Sequence, residues 1–463
     1  MTGKKPQRST FHKRLDHMIA TLRNQIVSGN YAPGEMLPSI AELGEQYGLS
    51  KNSVRKGLEL LSEEELIMKL PKVGARVLHP VPERQIKIKL GCYKNIAKEA
   101  KLDALLQAFH AKYPQIEVQS FLLPYDPYHT TVKEFMDNDW LDVMTMNYSD
   151  FKLFSTDTES EYLEELDSFP GTYKFLSKLF TYNERLLAVP WIFSPVILAY
   201  NQSHFTQSGL TEPNSSWTWE DLKAAAAKLA ADHGGFGFYY HMPSSNRWPI
   251  MLLQNGFVNG AENAETEKAK FIASIEQCRD LIVNQSYSPL HFSESNADVE
   301  ELFARGKASM ILCTYYSLNK MQSADVDYDI APIPRRDTPA TLLLTTGLAV
   351  NARSRHKHAA KLLVDFLLSE EAQLMIRRQT LSIPSLERAA EWKGVDELHR
   401  PSRFHMYREI IPTFKLMTDL GLHHRDIIAI RRELMLFWAG MEEAEAVWER
   451  VQRLLELRNP VNK

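Results

Sequence analysis

The sequence predicts an α/β protein in two parts: a small helical head closed by a two-stranded wing, then a much larger layered body. Three observations predict it. The chain has 463 residues, too many for one ordinary domain. Residues 1–80 hold twelve Lys/Arg against eight Asp/Glu, a net of +4, whereas the remainder holds 42 against 50, a net of −8. Hydrophobic spacing is helical in the head and alternates between strand and helix periods beyond residue 85. A basic head on an acidic body points to an anionic partner for the head alone.

Composition narrows the class. At 44% hydrophobic and 24% charged residues the chain is of globular type. Its three cysteines, Cys92, Cys278 and Cys313, are odd in number and widely spaced. That argues against a disulfide scaffold or a CxxC zinc site and fits a reducing compartment. No apolar run reaches the roughly 18 residues a membrane helix needs. Lys4, Lys5, Arg8, Lys13 and Arg14 near the start are followed by no long apolar stretch. No signal peptide is expected, and the protein is expected in the cytoplasm.

In the head, Leu15, Met18, Ile19, Leu22 and Ile26 follow helical spacing, and Gly29-Asn30 ends that helix. Ser39 is a candidate N-cap for a second helix, with Glu42 completing a capping box. Gly48 breaks the chain, and Ser50 caps a third helix. Val54, Leu58 and Leu61 face its core side, which leaves Lys51, Asn52, Ser53, Arg55 and Lys56 toward the exposed N-terminal half. Pro71-Lys72-Val73-Gly74 reads as a hairpin, with Arg76-Val77 as the returning strand. A helix-turn-helix with a basic wing places its second helix in the major groove of DNA. The alternative is a helical bundle with a solvated basic face.

The stretch PGEMLPSIAELGEQYGLSKNSVRKGLELLSEEELIMKLPKVGARV resembles the winged helix-turn-helix of the GntR family of bacterial regulators, over about residues 11–79. The resemblance implies that Ser39, Lys51, Asn52, Ser53 and Arg55 occupy DNA-facing positions, with the wing around Lys72 and Gly74. Lys56 lies beside them. Three positions depart from the family pattern. Ala41 and Lys51 stand where Arg is frequent, and Glu65 replaces the usual Gly before the wing. Lysine cannot form the bidentate fork of arginine.

His79-Pro80-Val81-Pro82-Glu83-Arg84 reads as a semi-rigid linker. The expected division is a head at 1–80, a linker at 81–85 and a body at 86–463. Residues 85–90 alternate as a strand, Leu102, Leu105, Leu106 and Phe109 mark a helix, and strands follow at Ile116 and at Leu141–Met146. None of GxSxG, HExxH, GxxxxGK[ST] or GxGxxG after a strand occurs. The fifteen histidines form no metal-ligand spacing, and His356-Lys357-His358 reads as an exposed helix start. No catalytic residue, metal or cofactor is implied. What stands out is aromatic content at strand ends and turns: Tyr93, Tyr148, Trp191, Trp248, Tyr315 and Tyr316. Aromatic faces with nearby polar groups suit sugar rings, although core packing is the alternative for each.

Residues 86 to about 455 resemble the extracellular solute-binding proteins of ABC transporters, in the maltodextrin-binding-like group. The matching stretches occur in order: LDVMTMNYSDF, LLAVPWIFSPVILAYNQSHFTQSGL, SSWTWEDL, LFARGKASMILCTYYS and GLAVNARSRHKHAAKLLVDFLLSEEAQ. The resemblance implies a two-lobed, type II periplasmic-binding-protein-like α/β body. Its chain crossings fall near Val189–Tyr200 and Thr345–Asn351, and a ligand sits between the lobes. Tyr93, Tyr148, Asp150, Trp191, Trp248, Tyr315 and Tyr316 are then cleft candidates, Trp191 foremost as a stacking platform. Together the two resemblances imply a ligand-responsive transcription regulator. It would bind operator DNA and a small effector, an oligosaccharide by analogy, and act as a homodimer away from the membrane. Two alternatives stay open: a DNA-binding protein with a vestigial cleft, and an aminotransferase-like body binding pyridoxal phosphate. The latter needs a Schiff-base lysine, for which the sequence offers no convincing setting.

Overall fold

The computed structural model describes residues 8–27, 30–70, 73–78, 86–125, 127–283, 293–322, 326–336, 338–395 and 398–458. The expected linker, wing-tip Lys72 and helix-ending Gly29 lie outside them. The chain forms two compact units, residues 1–88 with 106–119, and 89–105 with 120–463. The sequence places the boundary at residue 80 instead. Residues 86–88 go with 106–119 because Ile86 N–H donates to Gln115 C=O at 3.0 Å and Lys87 pairs with Glu117 at 3.3 Å.

The first unit holds α1 (Arg8–Val27), α2 (Ile40–Tyr47), α3 (Lys51–Glu63), β1 (Ile67–Leu70) and β2 (Gly74–Val77). Ser39 Oγ accepts the Glu42 N–H at 3.3 Å, and the Glu42 carboxylate accepts the Ser39 N–H at 2.7 Å. This closes the capping box that the sequence signals. Gly48 takes the left-handed conformation that ends α2. Ser50 caps α3 by accepting the Ser53 N–H at 3.2 Å. Met18, Leu22, Leu43, Val54, Leu58 and Leu61 make one core with Ile67, Ala75 and Val77 of the wing. Strands β1 and β2 pair antiparallel from Ile67↔Val77 to Leu70↔Gly74.

The end of α3 follows from its backbone. Glu65 has φ +58°. Its N–H donates to Ser62 C=O at 3.1 Å, and the Leu66 N–H donates to Leu61 C=O at 3.0 Å. That bond pair is a Schellman cap, in which the left-handed position normally falls to glycine. The family's usual Gly at this place has its physical reason here.

The second unit is a layered α/β body. The elements that build its site are β3 (Ile86–Tyr93, from Lys89 onward), α4 (Ile96–Glu99), β4 (Val143–Asn147), α5 (Tyr148–Leu153), β5 (Val189–Asn201), α6 (Asn296–Ala304), β6 (Met310–Thr314), α7 (Tyr315–Met321), β7 (Tyr328–Ala331) and β8 (Thr341–Val350). β3 and β4 are parallel, with Leu90 opposite Val143. β4 and β8 are antiparallel, Val143 opposite Val350. β8 pairs antiparallel with the first half of β5, Leu348 opposite Val189, with an irregularity at Thr346/Gly347. The second half of β5 pairs instead with β6 and β7. One long strand thus serves two lobes, at the crossing positions the resemblance implies. Each lobe has its own core. One holds Tyr93, Tyr128, Met146, Phe151 and Leu163. The other is built in two clusters around Trp219, Trp248 and Phe437, and around Phe193, Phe303 and Tyr407.

Candidate nucleic-acid interface and ligand cavity

On α3, Lys51, Asn52, Arg55 and Lys56 are exposed, as their spacing against Val54, Leu58 and Leu61 requires. Ser53 departs from the expectation. It is only 5% exposed, and its hydroxyl lies 2.7 Å from the Ser50 hydroxyl, so it braces the helix start. Ser39 is exposed at the start of α2 while holding its cap. Arg14 Nη1 donates to Gly48 C=O at 3.3 Å and steadies the turn between α2 and α3. Gly74 has φ +141°, and a Cβ there would stand 3.0 Å from Met36 Cε. Arg76, one strand position away from Val77, is exposed on the wing. The alternation Ala75-Arg76-Val77 could have marked it from sequence. The head thus exposes Lys51, Arg55 and Lys56 near the start of α3 and Arg76 on the wing.

The second unit contains a cavity of about 430 Å³. Strand ends, turns and helical residues from both lobes line it. β3 contributes Tyr93, α4 Glu99, the β4–α5 junction Asn147, Tyr148 and Asp150, the start of α7 Tyr316 and its last turn Lys320. Asn246 and Arg247, Glu300 of α6 and Thr345-Thr346 of β8 complete the wall. The Tyr93 hydroxyl donates to Asp150 Oδ2 at 2.5 Å and accepts the Asn147 N–H at 3.0 Å, and Asn147 Nδ2 donates to the same carboxylate oxygen at 2.6 Å. Burial and the Asp150 charge push the Tyr93 hydroxyl pKa well up, so it stays a donor. Tyr93 also stacks on Tyr125, centroids 4.9 Å apart and 3° from parallel. The Tyr148 hydroxyl lies 3.3 Å from Thr418 Oγ1. The Tyr316 hydroxyl donates to Ile192 C=O at 3.0 Å.

Four of the seven sequence candidates therefore meet at this cavity: Tyr93, Tyr148, Asp150 and Tyr316. Three do not, which corrects the expectation that they line it. Trp191 is fully buried on β5, a strand covered on both faces along its whole length. Trp248 is fully buried edge-on to Trp438, centroids 6.0 Å apart. Tyr315 is fully buried edge-on to Phe404 at 5.3 Å and donates its hydroxyl to Phe404 C=O at 2.8 Å. Tyr315 and Tyr316 are consecutive on a helix, so their side chains diverge and only one can face the cavity.

Sequence reasoning missed the charged lining. Arg247 directly precedes Trp248, in the polar run Ser244-Ser245-Asn246-Arg247, and it rather than the tryptophan reaches the cavity. Arg247 is 1% exposed. Glu300 pairs with Lys320 at 2.8 Å. Burial, with the Glu300 charge adding and Lys320 opposing, pushes Glu99 up to about 7. Among the described residues no group of three or more His, Cys, Asp or Glu could hold a metal ion, and no helix is long and apolar enough to cross a membrane.

Comparison with known proteins adds the family. Residues 93–374 match the bacterial extracellular solute-binding proteins, and residues 15–77 the bacterial regulatory proteins of the gntR family. The chain is similar to the uncharacterized HTH-type transcriptional regulator YieP of Escherichia coli (strain K12), 36% identical over 73 residues, 16% of this chain and 32% of that one. It is similar to the sn-glycerol-3-phosphate-binding periplasmic protein UgpB of Brucella abortus (strain 2308), 22% identical over 175 residues, 36% of this chain and 39% of that one. The matched stretches thus span under half the length of these curated relatives. Among solved structures it is similar to maltose-bound T. maritima MalE3, with a TM-score of 0.69 at 19% identity, over 80% of this chain and 99% of that one. That likeness shows the two-lobed fold. Matched over more than half its length, the chain belongs to the bacterial extracellular solute-binding protein family, with a gntR-family domain at residues 15–77.

Proposed function

We propose that this protein is a transcription regulator that binds double-stranded operator DNA through its head and a small hydroxyl-rich solute of the sugar class through its body. Occupancy of the cavity alters its affinity for DNA. The observation that carries the reading is the presence in one chain of a capped winged helix with a cationic α3 start and an α/β body with a polar, tyrosine-lined cavity. The relatives support both halves: YieP is named as an HTH-type transcriptional regulator, MalE3 is maltose bound, and UgpB is named for sn-glycerol-3-phosphate. Ser39, Lys51, Asn52, Arg55, Lys56 and the wing with Lys72 and Gly74 face the DNA, with Ser53 bracing α3. Tyr93, Tyr148, Asp150 and Tyr316 face the solute. The protein works in the cytoplasm as a homodimer on a two-fold operator. A solute changes DNA affinity only as far as it binds the DNA-bound and free forms differently, and the effect is reciprocal.

The test is to select genomic DNA fragments with the full-length protein, then measure their affinity with and without a panel of sugars and sugar derivatives. At least one solute is expected to move the DNA dissociation constant by about 5- to 150-fold. Arg55→Ala is expected to weaken specific binding by ~1–3 kcal/mol with loss of sequence preference. DNA binding that no solute alters would leave a constitutive regulator. Binding without sequence preference in the parent protein would remove the regulatory reading altogether.

A further inference from the structure

Arg247 is a buried charge on the cavity wall that, among the described residues, no ion pair holds. It is 1% exposed. Among the described residues the three acceptors of its guanidinium are neutral: Leu312 C=O at 3.4 Å, Asn246 C=O at 3.3 Å and Asn246 Oδ1 at 2.9 Å. Among the described residues no carboxylate forms an ion pair with it. Buried charges in folded proteins are paired as a rule, since taking an ion out of water costs several kcal/mol. An unpaired buried arginine on a cavity wall is a charge awaiting a counter-charge.

The carboxylates that share the cavity are each occupied. Glu300 is held by Lys320 at 2.8 Å. Asp150 accepts hydrogen bonds from Tyr93 and Asn147. Burial raises the Glu99 pKa to about 7, so near that pH it carries about half a negative charge. The Glu300 charge reaches Arg247 only through space and is shared with Lys320, so among the described residues Arg247 has no carboxylate in ion-pair contact. The remaining lining is rich in hydroxyls and amides, among them Tyr93, Asn147, Thr345 and Thr346. Such groups suit the hydroxyls of the solute rather than its charge.

We infer that the solute carries one anionic group, a phosphate or a carboxylate, which seats on the Arg247 guanidinium while its hydroxyls meet the tyrosines and amides. This rests on the reading of the cavity as the ligand site. The planar fork of arginine matches a phosphate or carboxylate with two parallel hydrogen bonds, which a lysine in its place could not supply.

The experiment is thermal unfolding and calorimetric titration of the full-length protein with glucose 6-phosphate, gluconate, glucose, maltose and inorganic phosphate, on the parent chain and on Arg247→Met. The parent is expected to bind a phosphorylated or carboxylated probe at least about tenfold tighter than its neutral counterpart. The phosphate and gluconate arms tell which anion is preferred. Arg247→Met is expected to lose that preference while its ligand-free midpoint stays level or rises, because an unpaired charge has gone. A clear fall in that midpoint with anion binding unchanged overturns the inference and makes Arg247 a packing residue. Neutral sugars binding both chains equally, with no advantage for anionic probes, overturns the anion seat and leaves the sugar cavity standing. No binding by any probe removes both. Should Arg247→Met not fold, Arg247→Lys keeps the charge without the fork. It is expected to bind the anionic probes more weakly than the parent, and equal affinity overturns the seat.

Discussion

Replacing Glu65 by glycine is expected to stabilise the head. Glu65 sits at φ +58° in the Schellman cap that ends α3. Its side chain is exposed, and no hydrogen bond or ion pair to it is present among the described residues. Neighbouring Glu64, by contrast, makes a two-point pair with Arg23 at 2.6 and 2.7 Å. A side chain in the left-handed region costs about 1–2 kcal/mol. Glycine removes that cost but adds unfolded-state freedom that offsets about 0.4–1 kcal/mol. The net expectation is a gain of roughly 1 kcal/mol. Because the head is part of a larger chain, the assay is amide hydrogen exchange in the full-length protein, read at core positions of α3 such as Leu58 and Leu61. Their exchange should slow by about fivefold in Glu65→Gly. Glu65→Ala retains the Cβ and should show no such slowing. Equal slowing in both variants would refute the backbone argument and assign the effect to loss of the carboxylate. No slowing in either would refute the cap.

Two further outcomes follow from the body. Trp191→Ala is expected to cost about 3–5 kcal/mol of stability, as for a fully buried aromatic, and denaturant titration measures it. Trp191→Phe, which keeps the fold, should leave solute affinity unchanged; a selective loss of affinity would return Trp191 to the site. Glu99 gives a pH dependence. Its folded-state pKa, raised from the usual 4.5 to about 7, means the folded state holds that proton more tightly than the unfolded chain. Stability from this group is therefore full below about 4.5 and is lost as pH rises through 7, by about 3 kcal/mol at most. Glu99→Gln should unfold at a midpoint less dependent on pH between 5 and 8, and identical pH profiles would rule the effect out.

How much of this was legible in the chain depended on the range of the interaction. The Ser39–Glu42 capping box, the Gly48 stop and the buried face of α3 are set within a few residues, and their spacing could be read directly. The crossing near Val189–Tyr200 came instead from the family resemblance, and the structure shows that strand buried on both faces. Ser53 was misplaced by the same local reasoning, because helical spacing alone does not say that its hydroxyl turns back to Ser50.

Aromatic residues near turns were the weakest signal. Trp191, Trp248 and Tyr316 look alike in sequence, since a large ring is favourable both in a core and against a sugar, and only the packing around each chooses. The charged side of the cavity was invisible for a related reason. Arg247 lies in a turn and Glu300 in mid-helix, places where a charged residue would be ordinary on a surface, and they matter because distant segments enclose them. The sequence by itself determined the capped third helix, its buried face and the Gly48 stop, all governed by local periodicity and backbone sterics, whereas the left-handed backbone at Glu65 came only with the structure. Only the tertiary structure decided which tyrosines share a cavity and which tryptophans fill a core. It also decided that Arg247 is buried on the cavity wall with no ion pair among the described residues, because burial and charge balance are properties of segments brought together from across the chain.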